Sequence, residues 1–143
     1  LLDTHTAIWS IIGTEVWKSA GFAMIIYLSG LKTIPRDLIE QAQVDGARYM
    51  SRFRHIVFPL LAPAFTVNFL LTVINSLKVF EIVFVLTGGG PGYATEVINT
   101  FVYRNFAKGM WGYATSASIM LTLIVSIVAV SLLIVLRRRE IEL

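Results

Sequence analysis

From Gly112 to Leu136 the sequence runs without a charged side chain, and this stretch constrains the fold more than any other. A helix rises ~1.5 Å per residue and the hydrocarbon layer of a bilayer is ~30 Å thick, so ~20 mostly apolar residues suffice to cross it. Two further apolar runs have the same reach. Ile8–Gly30 is interrupted by Glu15 and Lys18, and Leu60–Leu86 by Lys78 and Glu81 near its far end. A soluble fold of 143 residues has no room to hide three such runs. Composition agrees, with 56% hydrophobic and 15% charged residues, against ~45–50% and ~25% in an ordinary soluble domain. The expected fold is all-α, a polytopic transmembrane helical bundle forming one domain over residues 1–143.

Charge placement gives a direction. Lys32, Arg36, Arg48, Arg52 and Arg54 lie between the first two runs, and Arg137, Arg138 and Arg139 follow the third. The connection between runs two and three holds only Arg104 and Lys108. Loops rich in Lys and Arg stay in the cytoplasm, so residues 32–59 and the C-terminal tail are expected inside. The N-terminus and residues 87–111 are then outside. In that outer loop Thr87-Gly88-Gly89-Gly90-Pro91-Gly92 breaks any helix. Val97, Phe101, Tyr103, Phe106 and Trp111 beyond it suit a short interfacial helix. The chain opens Leu1-Leu2-Asp3, without an initiating Met or a signal-peptide pattern, and reads as a piece of a longer protein.

Soluble chemistry finds little support. With no cysteine there is no disulfide framework or thiolate nucleophile. His5 and His55 fall on opposite sides of the membrane, and no carboxylate cluster joins either, so neither an enzyme active site nor a metal site is expected. No Walker-type phosphate loop is present.

The inner loop is too patterned for a passive connection. Pro35 suits a first helical position, and Asp37 and Glu40 follow near the positive end of the helix dipole. Apolar residues recur at Ile39, Ala42, Tyr49 or Met50, Phe53, and Ile56 or Val57, a one-sided helical spacing. Gly46 falls within it and either breaks the helix or admits a close backbone. The expectation is two short helices meeting at a bend, with basic residues on the exposed side, and Pro59 and Pro63 turning the chain into the second span. On physical grounds alone, an amphipathic lipid anchor accounts for this loop as well as a docking element does. A structural or assembly membrane protein therefore stands as the alternative function.

Glu40-Gln41-Ala42-x-x-Asp45-Gly46-Ala47, followed by Phe53, Ile56, Phe58-Pro59 and Pro63, resembles the EAA loop of binding-protein-dependent ABC importer permeases. Gln41 replaces the central Ala of that pattern and Phe58 the usual Leu. The likeness extends through Trp17-x-x-x-Gly21-Phe22, Gly30-Leu31-x-x-Ile34-Pro35, the Phe80–Gly92 segment, Tyr103-x-x-Phe106 and Gly112-Tyr113-x-x-x-Ala117. These segments are similar to carbohydrate-type permeases, in particular the C-terminal half of the maltose- and glycerol-phosphate-type first permease.

The resemblance implies a multi-pass permease in a bacterial or archaeal plasma (inner) membrane. Its partners would be a second permease subunit, a cytoplasmic ATPase dimer and an extracytoplasmic solute-binding protein. It implies a sugar-like solute, no nucleic-acid partner, and no cofactor on this chain, ATP and Mg residing on the ATPase. Arg36, Glu40, Ala42, Asp45, Gly46, Ala47, Arg48 and Phe53 would form the ATPase-coupling loop, with Gly46 permitting tight contact. Carried over by the same motifs, the solute path would run past Glu15, Ser19 and Phe22, and past Thr72, Asn75 and Ser76. The last three also suit hydrogen bonding between neighbouring helices. Glu15 with Lys18, and Lys78 with Glu81, stand i, i+3 and are each expected to pair with one another.

Overall fold

The computed structural model describes residues 3–137. Among them every regular element is helical: α1 (Thr4–Lys32), α2 (Arg36–Val44), α3 (Tyr49–Arg52), a π-helical turn (Phe53–Val57), α4 (Phe58–Leu60), α5 (Ala62–Leu77), α6 (Glu81–Leu86), α7 (Ile98–Ala107) and α8 (Trp111–Arg137). Arg138 and Arg139 of the basic tail lie outside the described residues.

At 29 and 27 residues, α1 and α8 reach about 40 Å, enough to cross a bilayer with some tilt. Asp3 caps α1 by accepting a hydrogen bond from the Thr6 backbone N–H, and Lys32 sits in its last turn, where a cation opposes the negative end of the dipole. α5 lies between these two, packing against α1 on one side and α8 on the other, while α8 also carries α7. The buried apolar core is small: Ala7, Ile34, Ile82, Val83, Ala114 and Leu121. Trp17, Met24, Ile25, Met120, Leu123 and Ile127 are exposed. Water would leave this apolar surface unsatisfied, whereas lipid tails and neighbouring membrane helices match it.

The entrance to α5 is shaped by proline chemistry. Pro59 has no N–H, and its ring would strike the His55 carbonyl in a straight α-helix; Pro63 does the same to Pro59. The chain answers with the π-helical turn over Phe53–Val57 and a 59° bend between Tyr49–Leu60 and Ala62–Leu77. α1 meets the start of α5 closely: a Cβ built on Gly30 would lie 2.5 Å from the Ala64 Cβ. Small residues at such a crossing let two membrane helices approach backbone to backbone.

The second apolar run is not one helix. α5 ends at Leu77, with Lys78 at its C-cap, and α6 starts only at Glu81. Lys78 and Glu81 therefore do not share a helical face, and among the described residues the ion pairs are Lys18–Glu15 and Arg104–Glu96. The expected Lys78–Glu81 pair does not form because the i, i+3 geometry requires an unbroken helix.

Candidate functional site: a membrane cleft and an inner helical loop

A cleft of about 560 Å³ opens between α1, α5 and the α5–α6 break. Glu15, Ser19 and Phe22 from α1 and Thr72, Asn75 and Ser76 from α5 all border it. The structure thus brings together every residue expected along a solute path. On α5 they extend a polar stripe that begins at Asn68, one turn earlier. Asn68, Thr72, Asn75 and Ser76 follow helical spacing on one face. That stripe is legible in the sequence as polar residues at helical spacing, and Asn68 extends it beyond the positions the resemblance implies.

The hydroxyls of Ser19 and Thr72 donate to carbonyls of their own helices, Glu15 O at 2.8 Å and Asn68 O at 2.8 Å. Thr72 therefore does not bond a neighbouring helix through that donor. Each hydroxyl oxygen keeps acceptor capacity toward the cleft. Glu15 pairs with Lys18 at 3.2 Å, as the i, i+3 spacing requires. The contact is ionic, since the buried Glu15 Oε2 lacks a well-aligned hydrogen bond. Lys78 and Glu81 also border the cleft, so the break in the second apolar run places two charges of opposite sign in its wall.

The inner loop folds as two short helices meeting at a bend. Pro35 is the residue before α2 (φ −60°, ψ 128°), one position ahead of its expected place, and Asp37 lies in the first turn. The end of α2 is closed by a Schellman arrangement. Gly46 N–H donates to Gln43 O at 3.1 Å and Ala47 N–H to Ala42 O at 2.9 Å. Gly46 has φ +80°, a left-handed conformation that costs other residues ~1–2 kcal/mol. Its role within this chain is conformational. A Cβ there would meet nothing within 4 Å, so no close backbone approach explains it.

Arg48 is the residue before α3, across the bend from Arg36 and Glu40 on α2. Arg52 clamps the two helices by donating to Gln43 Oε1 at 2.8 Å. Tyr49 and Met50 are exposed, whereas Ile39 and Ala42 are half-buried. Arg36, Arg48 and Arg54 are exposed, as expected, and α2 adds an acidic face beside them, a shallow depression bordered by Asp37, Glu40, Gln41, Val44 and Asp45. Val44 at its rim is 88% exposed, an apolar side chain left with nothing to cover it. Of the other loop positions, Phe53 packs against Phe58 in a tilted arrangement with ring centroids 6.4 Å apart.

Comparison with known proteins now assigns this arrangement. Residues 1–140 match the family described as binding-protein-dependent transport system inner membrane component. The chain belongs to that family. Among its relatives, the probable starch degradation products transport system permease protein AmyD of Thermoanaerobacterium thermosulfurigenes is 35% identical over 99% of this chain and 49% of its own length. The trehalose/maltose transport system permease protein MalF of Thermococcus litoralis is 41% identical over 80% of this chain and 39% of its own. The sn-glycerol-3-phosphate transport system permease protein UgpA of Agrobacterium fabrum is 38% identical over 87% and 43%. The chain spans about half the length of AmyD and less of the other two. Family members are transport subunits of the inner membrane rather than enzymes, and the exposed apolar helices fit that setting.

Proposed function

We propose that this chain supplies one membrane-embedded wall of the solute path in an ATP-driven importer for a carbohydrate or related polyol, and that α2 and α3 dock on its ATPase. The observation that carries the reading is the convergence of Glu15, Ser19, Phe22, Thr72, Asn75 and Ser76 on one cleft. Hydroxyl and amide groups beside an aromatic ring suit a solute bearing many hydroxyls. On the inner side, α2 offers an exposed carboxylate rim around an uncovered Val44, a shape and charge suited to a partner with basic residues around an apolar pocket. ATP and Mg are held by that partner. A second permease and a solute-binding protein complete the assembly, and the tail beginning at Arg137 lies in the cytoplasm.

The test is uptake by the full complex reconstituted in liposomes, with maltose, trehalose and sn-glycerol 3-phosphate as the offered solutes. Asn75→Ala and Ser76→Ala are each expected to lower kcat/KM about 2–10-fold, the worth of one hydrogen bond, with assembly unchanged. Full uptake of an accepted solute by both variants contradicts the reading. A cysteine placed at residue 139 is expected to react with an impermeant thiol reagent only from the cytoplasmic face.

A further inference from the structure

Three contacts tie the outer helix α7 to the wall of the cleft. Asn99, in the first turn of α7, donates from Nδ2 to the Lys78 carbonyl at 2.7 Å, across the break between α5 and α6. Tyr103, one turn on, packs against Phe80 and Phe84 with centroids 5.6 and 4.8 Å away. Arg104 donates to the Gly88 carbonyl at 3.2 Å, just past the end of α6, and is held in place by Glu96 at 3.0 Å and the Tyr93 ring at 4.6 Å. α6 is thereby fastened at both ends and along its length. The break it follows, Lys78–Phe80, belongs to the cleft wall, as do Glu81 and Ile82. The break after α5 leaves the Lys78 carbonyl without a helical partner, and such a group takes a donor from elsewhere in the chain or from water. The Asn99 amide is that donor.

We propose that α7 is a strut that sets the shape of this wall, and that Asn99 is a positioning residue for solute handling although it does not border the cleft. The inference rests on reading the cleft as the solute path. Losing the Asn99 bond frees the Lys78 carbonyl and lets the Lys78–Ile82 wall move relative to Thr72, Asn75 and Ser76. Solute would still be admitted, with its fit altered.

Residues 1–143 contain no cysteine, and with any cysteine elsewhere in the complete transporter replaced by serine, an introduced thiol reports on its own position. The experiment uses the assembled transporter carrying Lys78→Cys and follows the labelling rate with an impermeant maleimide. Asn99→Ala is expected to change that rate ~3–10-fold, the consequence of one lost hydrogen bond, and Asn99→Gln, which keeps the amide donor, to restore it within about twofold. In uptake assays with maltose, trehalose and sn-glycerol 3-phosphate, Asn99→Ala should raise KM for the accepted solute and leave kcat unchanged. An unchanged labelling rate in Asn99→Ala overturns the strut, whatever uptake shows. The path itself is read separately, as protection of Ser76→Cys by the same solutes. If labelling at residue 78 responds to Asn99 but no solute protects residue 76, the cleft is not the path and the solute-handling role falls with it.

Discussion

Gly30 and Gly46 are both glycines for reasons that can be separated by substitution. At Gly30 the limit is space, because the Ala64 Cβ stands 2.5 Å from where a Gly30 Cβ would be. Gly30→Ala is expected to cost about 1–3 kcal/mol through overpacking, read as a lower Tm of the purified complex in detergent. Ala64→Gly in the same chain should recover most of that loss, and failure to recover it would show that the crossing does not depend on this contact. At Gly46 the limit is backbone conformation, since φ is +80° with open space around it. Gly46→Asn should therefore be milder than Gly46→Val, because Asn tolerates the left-handed region and a β-branched residue does not. The measurement is retention of the ATPase subunit on the purified permease. Within this chain Gly46 is the helix break that its place in the pattern allowed, closing α2 after Val44. Gly30 was noted only as part of a motif, since which helix it faces is a tertiary fact that no local pattern carries.

The helical elements were legible where periodicity or composition alone determines them. Uncharged length gave α8, and the Pro35-to-Gly46 punctuation gave α2 and the bend after it. What stayed hidden was the division of the second apolar run into α5 and α6. Hydropathy averages over a window and does not register a two- or three-residue loss of helical geometry. The carbonyl at the break is bonded by Asn99, 21 residues downstream, a partner that no local pattern reveals. Arg104 was likewise counted only as an outer charge, though it gathers Glu96, Tyr93 and the Gly88 carbonyl into one knot. The π-helical turn before Pro59 also leads to an element-level prediction. Pro59→Ala removes the clash that favours the wide turn, and regaining an α-helical register would rotate α2 and α3 by about 100° per residue relative to α5. Solute-stimulated ATP hydrolysis should fall while basal hydrolysis persists. Unchanged stimulation would mean that the turn has no part in orienting the loop.

As a whole, the molecule turns apolar surface outward along α1 and α8, keeps polar groups in a cleft between α1 and α5, and extends a polar helical loop from one end. Leu123, midway along α8, is 57% exposed, on an apolar face open to lipid tails or a neighbouring membrane helix. Leu123→Arg is expected to disfavour insertion by ~2.5–3.5 kcal/mol, measured as the inserted fraction in a translocon assay, whereas Thr72→Arg in the cleft should alter uptake more than insertion. On the function proposed above, this membrane unit is driven through its inner loop. The most direct test is solute-stimulated ATP hydrolysis by the complete reconstituted transporter carrying Glu40→Ala or Gly46→Pro. Gly46→Pro cannot adopt φ +80° and lacks the N–H that Gly46 donates to Gln43. Stimulation is expected to be lost in Gly46→Pro and reduced in Glu40→Ala, with the subunit inserted normally in both. Wild-type stimulation in both variants would contradict it, and the loop would then be a membrane-surface anchor.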